Sequence, residues 1–364
     1  MKFEKNVRAI IMNPDSKKLH GIFINPPKAN CSLYESGCMI YKSLLLSKKY
    51  RLDYLEIDEN NRQIPDNYDF YAFNYSLTTM DWLDTRSLRR LSGLKLTFLL
   101  EVLPNNPFIL CPSRDFDAYC ILDPTMNSPD KRVYTFSRPL EIPERLSPYS
   151  KPALPVIGSF GFATPGKGFE LVVDAVNKEF EEAIVKINIP HGTYVEDERN
   201  YTEYISTLCK NIAKKGVQVI ITNNYMTKEE LIDWCSQNTL NCFLYNRNMA
   251  GLSATTDQAI SSGRPLAVSD NDTFRHITKF VKPYPYRSLK ESIALSQEEV
   301  LQIQKDWAPA NFARRFEEVL TDFNFFDNSR YKTDNTNMIK LKCKWSHKLS
   351  SIKVYKLIQK ISCF

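Results

Sequence analysis

The chain has 364 residues, 43% hydrophobic and 25% charged, with a net charge of +6. That length accommodates two sizeable cores. No apolar run approaches the roughly 18 residues of a membrane span, and MKFEKNVRAIIMNP lacks the apolar segment and small-residue cleavage site of a signal peptide.

Nine cysteines without a Cys-x-x-Cys pair, and only four histidines, argue against a zinc site. They point instead to reduced, mostly buried thiols in a cytoplasmic protein. No metal and no cofactor is expected. The charge is uneven: Ser329–Phe364 holds nine Lys or Arg and one acid, Asp334, so the tail carries +8 and the preceding 328 residues −2. A near-neutral body without a recognisable binding module excludes nucleic acid as a partner.

Taken in order, 7–13 and 20–25 read as short strands around the polar turn PDSKK. A loop with Pro26-Pro27 leads into a helix from Leu33 to Leu46, with Ser32 as cap and Glu35 at the capping-box position. Ser32, Glu35 and Ser36 either form a plain cap or face a ligand at the carboxyl end of the first strands. Strands are expected at 51–57, 68–75, 95–103, 118–123 and 132–137, with a helix from Thr79 to Leu91. The Pro-rich stretch 138–155 reads as an inter-domain connection.

The second half alternates more regularly. Strands fall at 156–162, 183–189, 217–222 and 240–245, with helices at 168–180, 200–214 and 228–236. Then comes GLSATTDQAISSGRPLAVSDNDTFRH: a helix start at Ser253, Thr255 and Thr256, a stop at Gly263 and Pro265, and the strand PLAVS. Helices near 288–295, 297–305 and 310–323 follow, with Trp307 at a break. The fold class is α/β, with two doubly wound Rossmann-like domains at 1–148 and 149–327 and a basic tail at 328–364. In the tail, apolar residues at 338, 341, 345, 349, 352, 355, 358 and 361 make one helical stripe among lysines. That stripe suits an anionic membrane surface, and equally a helix packed on the body.

Two features should meet at the carboxyl edge of the second sheet. The turn GSFGFATPGKG brings Gly161 and Lys167, and the helix start brings Ser253–Thr256. A lysine with oriented N–H donors suits a diphosphate, although the Gly-x4-Gly-Lys-[Ser/Thr] spacing of a Walker loop is missing. Asp270-Asn271-Asp272 reads as a turn and helix cap rather than a metal motif. Arg275 and His276 can approach the cleft, although a locally fixed histidine is the commoner outcome.

IGSFGF…KGFELVVDAV, GLSATTDQAISSGRPLAVSD and the late Trp307 and Phe312 resemble the second domain of retaining glycosyltransferases of the GT-B fold, family four. The first domain matches only in layout. The resemblance implies two facing α/β domains, a nucleotide-sugar donor on the second and a glycan or lipid-linked acceptor mainly against the first. It also implies retention of anomeric configuration. Lys167 keeps the family's lysine, but Phe162 stands where it has arginine. Its Glu-x7-Glu motif is degenerate: Ala250 replaces the first Glu and Gln258 the second. Gln258 or the neighbouring Asp257 is then left to hold the ribose. Glu101 stands at the family's first-domain histidine, where it is either a catalytic base or a structural acid. The expected activity is sugar transfer in cell-surface polysaccharide synthesis, in the cytoplasm or at the inner face of the membrane. A non-catalytic GT-B module binding a glycan or a partner glycosyltransferase is the alternative, and a sugar-nucleotide epimerase a third reading.

Overall fold

The computed structural model describes residues 18–27, 32–76, 79–100, 102–103, 106–191, 198–247 and 251–323. The expected strand 7–13 and the tail 328–364 lie outside them. Among the described residues no helix is long and apolar enough to cross a membrane.

Two parallel sheets organise the chain. The first contains β1 (Leu19–Asn25), β2 (Tyr50–Glu56), β3 (Phe70–Asn74), β4 (Leu94–Leu99), β5 (Ala118–Ile121) and β6 (Val133–Thr135), in the order β2-β1-β3-β4-β5-β6. The second contains β7 (Val156–Phe160), β8 (Ala183–Asn188), β9 (Val217–Thr222), β10 (Leu240–Phe243) and β11 (Leu266–Val268), in the order β11-β10-β7-β8-β9. Central strands such as FYAFN and VIGSF are buried along their whole length, as expected for parallel strands covered on both faces. In each sheet the order reverses once, between β1 and β3 and between β7 and β10. Such reversals open a crevice at the carboxyl ends of the strands.

Helices α1 (Ser32–Leu44) and α2 (Pro107–Leu110) belong to the first half. Thr79–Leu91, expected as one helix, contains a shorter 3-10 helix, Thr85–Arg90. Asp84 starts it by accepting from Arg86 N, which confines the helical turns to the stretch around buried Leu88. The second half carries α3 (Phe169–Glu179), α4 (Glu198–Ile212), α5 (Lys228–Ser236), α6 (Thr255–Ser261), α7 (Leu289–Asp306) and α8 (Pro309–Asp322). Capping boxes start α5 (Thr227 with Glu230) and α7 (Ser288 with Glu291).

The pieces expected at 288–295 and 297–305 are one helix, α7. Its mid-helix Ser296 is buried, donates to Ser292 O (2.6 Å) and accepts from Leu266 N (2.9 Å), so its polarity serves β11 rather than ending the helix. The last helix, α8, was grouped in sequence with the second unit. Its Phe312, Phe316, Val319 and Leu320 enter the first core beside Phe23, Ile40, Phe70 and Phe98. Leu140 N also donates to Trp307 O (3.1 Å), so the chain ties the two units together at two points.

Cys111, in the turn after α2, is disulfide-bonded, against the expectation of reduced thiols throughout. Cys120, Cys209, Cys235 and Cys242 are free and buried.

Candidate functional site

The crevice between β7 and β10 is built from three segments. β7 runs into Gly161 (φ +139°) and a loop that closes at Gly168 (φ +69°) before α3. Both conformations favour glycine, and a Cβ on Gly168 would lie 1.9 Å from Leu244 O. β10 continues through Leu244 and Tyr245, and Asn246 N donates to Gly166 O (3.1 Å), fastening the two loops. The third segment, Leu252–Thr255, leads into α6.

Tyr245 is the meeting point. Its ring is buried, and its hydroxyl accepts from Lys167 Nζ at 2.9 Å and from Ser253 Oγ at 3.3 Å. The same hydroxyl is 2.9 Å from Thr255 Oγ1, which is 2.7 Å from Ser253 Oγ. A Cβ on Gly161 would stand 3.3 Å from Lys167 Nζ and 3.5 Å from Thr255 Cγ2. Gly161, Lys167, Ser253 and Thr255, expected from the sequence at one sheet edge, are neighbours.

The electrostatics follow from burial and from this pairing. Burial pushes the Lys167 ammonium below its ordinary range, opposed by Tyr245 and reinforced by the charge of Arg247. Burial alone would push the Tyr245 phenol up. Lys167, with hydrogen bonds from Ser253 and Thr255, outweighs it and holds the phenol below its ordinary value.

The other predicted donor residues lie elsewhere around α6. This helix is one of seven residues, with Ala254 at its cap and no side-chain cap bond. Thr256 is buried and donates to Ser253 O (2.8 Å). Asp257 is also buried, with Oδ2 at 2.7 Å from Arg138 Nε of the inter-domain connection. The angles there are poor for a hydrogen bond, so the contact is an ion pair by proximity. Burial raises the Asp257 carboxyl, while Arg138 and Lys228 pull it back. Gln258 is half-buried on the same helix.

On the facing side, Glu101 and the side chain of Ser32 lie outside the described residues. Ser36 is buried in α1. Glu35 Oε2 is 3.9 Å from Lys228 Nζ at the start of α5, and its carbonyl accepts from the same ammonium at 3.4 Å. These contacts join α1 to the second unit. Arg275 Nη2 and Nε reach Asp123 at 2.6 and 2.9 Å. His276, expected near the cleft or locally fixed, is fully buried and stacks on Trp307 with ring centroids 5.6 Å apart. Asn271 caps the turn Asp272–Phe274 by accepting from Thr273 N.

Tyr245 is the site residue that sequence reasoning missed. Inside LNCFLY it reads as core, and only its place just past the end of β10 could have marked it.

No family model matches the chain, and no curated protein does. Among solved structures, HepE of Anabaena in complex with UDP and glucose is similar, with a TM-score of 0.57 at 9% identity over 84% of this chain and 100% of that one. A glycosyltransferase from Rickettsia africae gives 0.56 at 10% identity, covering 86% and 100%. The trehalose-6-phosphate synthase OtsA gives 0.57 at 10%, covering 85% and 100%. At such identities the likeness carries the fold alone. This chain shares the GT-B fold of two Rossmann-like units.

Proposed function

We propose that the chain is a glycosyltransferase that binds a nucleotide-diphosphate sugar on its second unit and transfers the sugar to a glycan or lipid-linked acceptor held against the first. The convergence of Gly161, Lys167, Ser253 and Thr255 on the Tyr245 hydroxyl, at the reversal point of the second sheet, carries this reading. A diphosphate needs positive charge and several fixed donors, and this crevice offers both. HepE binds UDP and glucose on the same fold, which supports a nucleotide sugar as donor.

Within the proposal, Lys167 stabilises charge developing on the leaving diphosphate. Because Asp257 faces Arg138, the ribose falls to Gln258. Glu101 is assigned as the catalytic carboxylate, and Ser32, Glu35 and Ser36 form the acceptor-side loop. The finer assignments extend the family-four resemblance: a retaining, metal-independent hexosyl transfer in surface-polysaccharide synthesis, with a degenerate Glu-x7-Glu motif. The chain segments are divided at 148/149 and 327/328, with α8 at the end of the second segment crossing back onto the core of the first, and the tail rests on an anionic cytoplasmic membrane face.

One observation favours a second reading, a non-catalytic GT-B module. The acid beside the motif position, Asp257, is closed off against Arg138. The test is the thermal shift of the purified protein with UDP, GDP, dTDP, CMP and their common sugar conjugates. A selective rise in Tm with one diphosphate, abolished by Lys167→Ala, followed by sugar transfer to an acceptor, is the expected result. No shift with any of them, from a folded sample, removes the enzyme reading in favour of the module.

A further inference from the structure

The glycine-bearing loop after β7 receives a second cation from a different strand. Arg247 follows β10, and its Cζ lies 5.0 Å from the centroid of the Tyr245 ring, whose hydroxyl takes Lys167 Nζ. Its Nη1 donates to Thr164 Oγ1 within the loop at 3.3 Å. The loop makes room for it at Gly166, where a Cβ would stand 2.5 Å from Arg247 Cβ. The Arg247 backbone is held as well, its carbonyl accepting from Asn271 Nδ2 at 2.9 Å. Three chain segments thus hold Arg247 at the same ring as Lys167, whose Nζ lies 4.5 Å from the Tyr245 centroid.

Two cations within 4.5 and 5.0 Å of one ring centroid repel each other, and Arg247 accordingly adds to the downward push that burial exerts on the Lys167 ammonium. An anion with two charged centres relieves that repulsion where one with a single centre relieves only part of it. The two heads also differ in kind. The guanidinium is a planar fork that grips two oxygens of one phosphate, and the ammonium is a compact point charge.

We infer that Arg247 and Lys167 are the two arms of one clamp, each taking a different phosphate of a nucleoside diphosphate. The inference rests on the donor-site reading above and adds to it a residue and a selectivity: diphosphates over monophosphates. Arg247 is a binding residue here, reaching the site from the connection between β10 and α6 rather than from the glycine loop. Neutral Phe162, 42% exposed next to Gly161, leaves that role open to a residue from elsewhere.

The test is calorimetric binding of UDP, GDP and dTDP, each paired with its monophosphate, to the wild type, Lys167→Ala, Arg247→Gln and Arg247→Lys. Arg247→Gln is expected to weaken the best diphosphate about tenfold to a hundredfold, the range of a charge-assisted hydrogen bond. Its monophosphate should weaken far less, and Arg247→Lys should fall between. Equal losses for diphosphate and monophosphate, or none, overturn the inference while the donor site stands on the Lys167→Ala result. If the wild type binds none of the three diphosphates, the donor-site reading fails first and the clamp with it. Should Arg247→Gln fail to melt as a folded protein, Arg247→Lys decides. Its diphosphate-to-monophosphate ratio must drop by about threefold or more, because a point charge replaces the fork, and an unchanged ratio overturns the clamp.

Discussion

The two sheets reverse their strand order in the same way, yet the crevices they open are filled differently. Between β1 and β3, the side chains of Asn25 and Asn74 close the gap. Asn74 Nδ2 donates to Asn25 Oδ1 and to Leu33 O, both at 2.8 Å, and Asn25 Nδ2 donates to Tyr54 Oη at 3.0 Å. Gly37 of α1 lies so close that a Cβ there would be 1.9 Å from Asn25 Oδ1. Between β7 and β10 the crevice instead holds Lys167 against the Tyr245 hydroxyl, with Arg247 beside it. The first arrangement spends its polar groups on fastening a helix to a sheet. The second orients Lys167 with a neutral hydroxyl, which leaves its positive charge available to an anion. Similar topology thus yields a structural joint in one unit and a candidate binding site in the other.

The difference can be broken most forcefully at the joint. Asn74→Leu keeps the branched shape at a larger volume, takes the donor from buried Asn25 Oδ1 and removes a hydrogen bond to the part-buried Leu33 O. At about 1–3 kcal/mol for the unsatisfied buried acceptor and about 1–3 kcal/mol for the overpacking, stability should fall by about 2–6 kcal/mol in urea denaturation. A loss below about 1 kcal/mol would mean that these amides do not hold α1. The mirror-image change is Lys167→Ala. It should alter urea stability little and weaken the preferred nucleoside diphosphate about tenfold to a hundredfold. A Lys167→Ala protein that binds as well as the wild type would erase the functional half of the contrast. Tyr245→Phe lies between the two. It deprives Lys167, Ser253 and Thr255 of a shared hydroxyl, so both stability and diphosphate affinity should drop, stability by about 1–2 kcal/mol. A drop in stability alone would make Tyr245 a packing residue rather than one that positions Lys167.

Much of this contrast was legible in the sequence, for identifiable reasons. Fully buried parallel strands read as continuous apolar runs, so VIGSF and FYAFN were placed within a few residues of their bounds. Gly161, Lys167, Ser253 and Thr255 stood out because glycine and hydroxyl residues after apolar runs mark loops at a sheet edge. What failed to show were pairings between distant segments. Arg138, in a Pro-rich connection, gives no local sign that it meets Asp257 on α6. Ser296 falls in the gap between the two expected helices, and the hydrogen bond that occupies it, from Leu266 N, comes from a strand 30 residues earlier. Tyr245 and α8 were hidden the same way, one by the apolar run around it and the other by a core belonging to the other half of the chain.

A smaller effect separates the two halves by pH. The first crevice is fastened by amides, which do not titrate. In the second unit His276 is fully buried against Trp307, and neither ring nitrogen has a hydrogen-bond partner among the described residues. Burial, then the charges of Arg138 and Arg275, hold its pKa well below the ordinary 6.5. The folded protein therefore keeps this imidazole neutral while the unfolded chain protonates it below about pH 6.5. Where the unfolded state binds more protons, stability rises with pH, so it must fall as pH drops through that value. The loss from this one group should be about 1 kcal/mol between pH 7 and 5.5. His276→Phe, which preserves the stacking on Trp307, should flatten that part of the profile. Asn74→Leu should lower the whole profile without changing its slope. If His276→Phe retains the wild-type slope between pH 7 and 5.5, another group carries the acid sensitivity, and the buried imidazole is not what sets the second unit apart.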